Sequence, residues 1–405
     1  MKRAGRYLAI ITLFAMLLCG CGTDMPAPSV SVDETDTQIQ KGQTMASENE
    51  EDTDMEQKHP MADITAADVV SEMKIGWSLG NTLDSTNTSF IKTMQPSAWE
   101  TCWGNPVTTK ELIKTVTDRG FNVIRIPVSW GDHLLVSEDY KIVDSWMDRV
   151  QEVVDYAYEE DVYVILNIHH EEWHMPYYDN QEQAAEILEK VWTQIAERFK
   201  DYDERLIFEG MNEPRKKGTP VEWNGGDKEG WEVVNYLNGV FIDTIRNSDG
   251  NNPYRILMIP GYAANCWEGI KHLEVPADDN KLIVSVHAYE PYNFALNIKG
   301  TSEWNKDTWN IDAIMKSLDK LFISKGIPVV IGEFGAMHKD SETNLEERGA
   351  WAEYYVRSAK KLGIPCCWWD NGAFEGDGEL FGLIDRKTYE WKYEAVVEGL
   401  FKGLE

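Results

Sequence analysis

From residue 63 to residue 405, eight short apolar runs alternate with amphipathic stretches, which predicts an α/β chain closed into a (β/α)8 TIM barrel. Two further observations support that class. A stretch of roughly 340 residues suits one such barrel with long loops. Seven of the eight runs end in polar or aromatic side chains, as expected where chemistry gathers at the carboxyl ends of parallel strands.

The runs follow in order. Ile75–Leu79 leads into Gly80-Asn81-Thr82-Leu83-Asp84. Asn122–Val128 carries Arg125, and Val162–Ile168 ends in His169-His170. Leu206–Phe208 leads to Asn212-Glu213-Pro214, where proline stops the strand. Arg255–Ile259 comes next, and Leu282–Val286 runs into His287-Ala288-Tyr289. Ile327–Ile331 reaches Glu333, and Ile364–Trp369 reaches Asp370-Asn371-Gly372. Helical periodicity falls at Glu111–Arg119, Val143–Glu159, Ala184–Lys200 and Asn344–Lys361, with a last helix over Tyr393–Phe401 and no separate binding module after it.

The strand ends suggest chemistry. Glu213 and Glu333 place two carboxylates on one rim, a set suited to general acid/base and nucleophilic work on one bond. By the two-residue period of a strand, His287 shares a face with Tyr289, and Val329 and Ile331 share one with Glu333. Arg125 is a charge inside an apolar strand and needs a carboxylate partner. That partner is Glu333 at the rim or Glu209 deeper in the barrel, Glu209 being read as structural. His169 and His170 are adjacent, diverge on a strand and lack a third ligand at a metal-like spacing, so no metal or other cofactor is expected. Glu171 and Glu172 read as solvated loop residues. Loop aromatics Trp99, Trp103, Trp173, Tyr177, Tyr178, Trp223, Tyr292, Trp304 and Phe374 suit, as a set, the flat faces of sugar rings.

Residues 1–20 read as an export signal: Lys2, Arg3 and Arg6, then the apolar core Leu8–Leu18. Leu18-Cys19-Gly20-Cys21 resembles a bacterial lipoprotein signal, with Cys21 acylated; an ordinary secretory signal is the alternative. Residues 21–62 read as a disordered acidic tether, since eleven Asp and Glu between Gly22 and Asp63 oppose only Lys41 and Lys58. The expected location is the cell surface, with membrane attachment through the lipid. The formal charge of −30 argues against nucleic-acid binding. Beyond Cys21, only Cys102, Cys266, Cys366 and Cys367 remain, and a barrel of this size needs no disulfides.

These motifs, in this order, resemble glycoside hydrolase family 5, the large cellulase family. Trp103-Gly104-Asn105-Pro106 is similar to a segment of its bacterial endoglucanase branch. The resemblance implies retaining, endo-acting hydrolysis of β-1,4-glucans by a monomer. It makes Glu213 the acid/base and Glu333 the nucleophile, supported by Arg125, His169, Asn212, His287 and Tyr289. Asn81, His170, Trp173 and Trp369 would bind sugar. Xyloglucan, mixed-linkage glucan, xylan or mannan are alternative substrates for the same machinery. A surface glycan-binding lipoprotein without catalysis is the rival of another class.

Overall fold

The computed structural model describes residues 59–86, 88–339 and 342–405. The signal sequence, Cys21 and most of the acidic tether lie outside them. The eight expected strands are all present: β1 Ile75–Leu79, β2 Val123–Ile126, β3 Tyr163–Asn167, β4 Leu206–Glu209, β5 Leu257–Asn265, β6 Leu282–His287, β7 Val329–Phe334 and β8 Cys366–Asp370. They pair in parallel, each with its chain neighbours, and β1 closes onto β8 to complete the barrel.

Strand parity sorts the core into two layers. Val123, Ile165, Ile207, Ile283, Val330 and Cys367 point inward and pack with the helix Ala66–Glu72, which plugs the amino-terminal pole. Ile124, Val164, Phe208, Val284 and Cys366 point outward to the surrounding helices. Cys366 and Cys367 therefore take opposite faces, as neighbours on a strand must. The plug helix has a reciprocal cap: Asp68 N–H donates to Thr65 Oγ1 at 3.1 Å, and Thr65 N–H donates to Asp68 Oδ2 at 2.8 Å.

The segment before the plug corrects the expected boundary at residue 62. Met61 is buried, and His59 stacks on Tyr254 with ring centroids 4.4 Å apart. Lys281 Nζ donates to the carbonyls of Met61 and Ala62, both at 3.1 Å, and to that of Ile64. His59–Ala62 thus belong to the barrel base, where a single apolar side chain and free carbonyls fasten a stretch whose composition resembles the tether.

A second correction concerns β7. Val329 and Ile331 face outward and Val330 inward, so simple alternation would turn Glu333 away from the barrel axis. The register instead shifts after Ile331, which pairs with Val286 while Glu333 pairs with His287. A bulge at Gly332 resets the alternation and brings Glu333 inward. A Cβ on Gly332 would lie 3.2 Å from Ser285 Oγ and 3.3 Å from His287 Nε2, so this position favours glycine. Trp99 and Trp304, expected at the cleft, are buried in the core instead. Their indole N–H groups donate to the carbonyls of Thr93 and Asp307 within their own loops. No helix among the described residues is long and apolar enough to cross a membrane.

Candidate active site

Arg125, on β2, lies fully buried at the centre of the rim. Its Nε donates to Glu209 Oε2 at 2.8 Å, Nη1 to Glu333 Oε1 at 2.7 Å and Nη2 to Asn212 Oδ1 at 2.7 Å. Both partners weighed from sequence are therefore engaged. Burial alone would lower the guanidinium pKa, but the charges of Glu209 and Glu333 outweigh it and raise it. Glu209 is held from below as well, by Ser285 Oγ at 2.6 Å and Asn167 Nδ2 at 3.0 Å. This polar floor fixes the arginine that faces Glu333.

Glu333 also accepts from Tyr289 Oη at 2.9 Å. Burial first, then the charges of Glu333 and Glu213, hold the Tyr289 phenol well above its ordinary range, so it stays a donor. His287 Nδ1 lies 2.7 Å from Glu213 Oε1 and 3.5 Å from Glu333 Oε2. One carboxylate oxygen of Glu213 and one of Glu333 lie within 4.8 Å of each other and of His287.

The proton is not where repulsion between two carboxylates alone would put it. Burial raises Glu213, but the hydrogen bond and charge of His287, then the charges of Arg215 and Arg125, hold it below the usual glutamate value. Burial lowers His287, yet the charge of Glu333 and the hydrogen bond and charge of Glu213 raise it. The shared hydrogen bond therefore favours a protonated imidazole beside an ionised Glu213 carboxylate. Arg215 was not singled out from sequence, although it follows the Asn-Glu-Pro turn directly. Its Nη1 donates to Glu213 Oε2 at 3.4 Å, and its guanidinium lies 4.2 Å from the Trp223 ring centroid.

Across the site, Trp369 lies parallel to His169 at 5.5 Å between ring centroids. A Cβ on Gly80 would sit 2.7 Å from that indole, so glycine at the end of β1 lets the ring lie flat against the backbone. Trp368 points the other way, into the outer core against Phe334. Asn212 Nδ2 stands 3.4 Å from His169 Nε2, and Asn167 Nδ2 stands 3.1 Å from His169 Nδ1. Burial holds His169 well below the ordinary histidine value and His170 at about 4, so both are neutral at pH 7. His170 lies against Trp103, with ring centroids 5.9 Å apart. Asn81 is half-buried, with a left-handed φ of 55°, and its N–H donates to Asp84 Oδ2 at 3.0 Å.

Trp173 is half-buried, and its Nε1 donates to Glu171 Oε2 at 2.7 Å. That contact corrects the reading of Glu171 as solvated. Its carboxylate is buried and also accepts from the backbone N–H groups of Trp130 and Gly131. Burial, only partly offset by these bonds, pushes it up to about 7. Glu172 is exposed. Glu379, also missed from sequence, sits on the loop after β8. The side chain keeps an exposed face, yet desolvation by the nearby protein first, then the charges of Glu333 and Glu213, raise its carboxyl above the ordinary value.

Among the described residues, two sets of side chains bring metal-capable atoms within 4.8 Å of one another: Glu213, His287 and Glu333, and Asp84, His169 and His170. In the first, His287 Nδ1 is already hydrogen-bonded to Glu213, and Glu333 accepts from Arg125 and Tyr289. In the second, Asp84 already accepts from two backbone N–H groups, those of Asn81 and Thr82.

Residues 83–375 match the family model described as cellulase, glycosyl hydrolase family 5. Endoglucanase B of Neocallimastix patriciarum is 52% identical over 347 residues, covering 85% of this chain and 73% of that protein. Among solved structures, a broad-specificity GH5-4 endoglucanase from Ruminococcus champanellensis with bound cellotriose superposes with a TM-score of 0.81. It is 46% identical and covers 85% of this chain and all of that one (100%). A xyloglucan-specific endo-β-1,4-glucanase from a metagenomic library, in complex with cellotriose, has a TM-score of 0.78. It is 41% identical and covers 83% of this chain and 98% of that one.

Proposed function

The chain belongs to glycosyl hydrolase family 5, and on that premise we propose that Glu213 and Glu333 carry out a retaining double displacement on β-glucan. The protein is a glycoside hydrolase that cuts β-1,4-glucosidic bonds within glucan chains. The observation that carries the residue roles is the spacing and unequal partners of the two glutamates. Their oxygens approach within 4.8 Å. Retaining sites hold their carboxyl groups ~5–5.5 Å apart, whereas inverting sites need about 6.5–9.5 Å to admit water.

Glu333, flanked by Arg125 and Tyr289, attacks the anomeric carbon. The glycosidic C–O bond breaks as its oxygen takes a proton from Glu213, leaving a glycosyl ester on Glu333. That proton comes from His287 through the hydrogen bond to Glu213. Sugar entering the cleft displaces water, and lower polarity favours the neutral His287–Glu213 pair over the charged one. Glu213, again a carboxylate, then takes a proton from water. The resulting hydroxide attacks the anomeric carbon and releases Glu333, with two inversions giving net retention. Asn212, anchored by Arg125, is placed to hold the hydroxyl next to the reacting carbon.

A reducing-end assay on soluble cellulose derivatives, mixed-linkage glucan, xyloglucan, xylan and mannan tests the substrate class. Cleavage of the β-1,4-glucans with early loss of viscosity is expected, and activity confined to xylan or mannan would refute the glucan reading. Likeness to the xyloglucan-specific enzyme supports xyloglucan as a second substrate.

We further propose export and lipid attachment through Cys21. The positive amino end, the apolar stretch Leu8–Leu18 and the Leu-Cys-Gly-Cys sequence support this.

A further inference from the structure

Three cations follow Pro214 in sequence, and the fold sends them to different partners. Lys216 is buried, and its Nζ lies 2.7 Å from Asp227 Oδ1 and 2.6 Å from Glu229 Oε2. Lys217 Nζ lies 3.8 Å from Glu172 Oε1. Arg215 instead turns back along the chain. Its Nη1 donates to the Glu213 carbonyl at 3.0 Å as well as to Glu213 Oε2 at 3.4 Å, so it straddles the turn that carries the acid/base. Two neighbours hold it there. Its Nε donates to Glu222 Oε1 at 3.2 Å, and Glu222 Oε2 accepts from the Gly218 N–H at 2.7 Å. The Trp223 ring lies against the guanidinium, a cation–π contact that restrains it further. The mechanism above gives this arrangement no task.

We propose that Arg215 is a positioning residue that sets the pH range of the reaction by holding Glu213 and favouring its carboxylate form. The inference rests on the acid/base role proposed above and deepens it. Glu213 gives a proton to the leaving oxygen in the first half of the reaction and takes one from water in the second. A fixed cation serves both halves. It stabilises the carboxylate that remains when the C–O bond breaks, and it keeps that carboxylate ionised for the water that follows. Groups from other elements define what Arg215 adds. His287 on β6 shares its hydrogen bond with Glu213, and Arg125 on β2 adds positive charge. Glu333 on β7 and Glu379 after β8 add negative charge. Tyr289 stays protonated, and His169 and His170 stay neutral. Glu222 pairs with Arg215 and softens its field. In favouring the Glu213 carboxylate, Arg215 still ranks after His287 and ahead of Arg125, whose charge is already engaged by Glu209 and Glu333.

The test compares pH–rate profiles of the wild type, Arg215→Met and Arg215→Lys. On glucan, the alkaline limb of kcat/KM reports loss of the proton shared by His287 and Glu213. On a dinitrophenyl cellobioside the first step needs no proton, so the acid limb of kcat reports the ionised Glu213 that the second step needs. Arg215→Met should move both limbs to higher pH by about half to one unit. That is less than the ~1–3 units of a close buried pair, because both side chains keep some contact with water. Arg215→Lys keeps a cation and should hold both limbs nearer the wild type. Rates that fall equally at every pH, with both limbs unmoved, would reduce Arg215 to a loop brace and overturn the proposal. Limbs moved as far by Lys as by Met would also overturn it, since charge would then not be the cause. Glu213→Ala separates this inference from the reading beneath it. If that variant cleaves glucan normally, both fall; if it is crippled while Arg215→Met leaves the limbs in place, only the role of Arg215 falls.

Discussion

His287 Nδ1 stands 2.7 Å from Glu213 Oε1, and the two groups shift each other in opposite directions, the imidazole upward and the carboxyl downward. Their charged form therefore spans a pH window. Glu213 contributes stability above its usual value of 4.5, lost as pH falls through its lowered value. His287 contributes stability below its usual 6.5, lost as pH rises through its raised value. His287→Gln should lower Tm most between these limits and least at their edges. It should also move the alkaline limb of kcat/KM to lower pH, because the glutamate alone must then hold the proton. Thermal melts and a pH–rate profile check both, and an unmoved limb would place the working proton on Glu213 from the start.

The two glutamates should fail differently. Loss of acid/base help typically costs ~10²–10⁴-fold, so Glu213→Ala should slow glucan cleavage by about that much. On a dinitrophenyl cellobioside, whose leaving group needs no proton, the variant should form the glycosyl-enzyme and then stall. Added azide should restore turnover and give a β-azide product. Glu333→Ala should form no covalent intermediate, and any azide product should be inverted. NMR of the product configuration decides, and the opposite pairing would reverse the roles.

Arg125 serves Glu209, Glu333 and Asn212 together. Arg125→Met leaves two carboxylates without their cation, a loss of the kind that costs about 3–5 kcal/mol when a buried pair is broken. Tm should fall sharply, along with kcat. Arg125→Lys keeps the charge but cannot span three acceptors in a plane. It should recover part of the Tm while kcat stays low, and full recovery of both would show that charge alone suffices.

Cys21→Ser should move the protein from the membrane fraction to the soluble exported fraction. One acyl chain alone binds a membrane only marginally and stable anchoring needs two signals, so the parent should need its full lipid modification to stay bound. Equal membrane association of parent and variant would rule out the lipid anchor.

The barrel was legible because each strand is a short apolar run and seven of the eight end in chemistry, and all eight were found from that pattern. Parity failed at β7 for a local reason. The bulge at Gly332 turns Glu333 inward, and periodicity contains no term for an extra residue. Glu171 was misread because a Glu-Glu pair in a loop usually means solvent. Its burial depends on three N–H donors, from Trp130, Gly131 and Trp173, which only the folded loops bring together. Arg215 was missed because its partner, Glu213, is two residues away and the turn between them hides the approach. His59–Ala62 escaped notice because their anchor, Lys281, is over two hundred residues distant.

That anchor has a mechanical consequence. The described chain begins at the base of the barrel, where Lys281 grips three carbonyls and the plug helix fills the pole opposite the catalytic rim. Tension reaching His59 from the preceding residues would load this clasp first, at the pole away from Arg125 and the two glutamates. A polymer dragging on the cleft pulls at one pole while any attachment resists at the other.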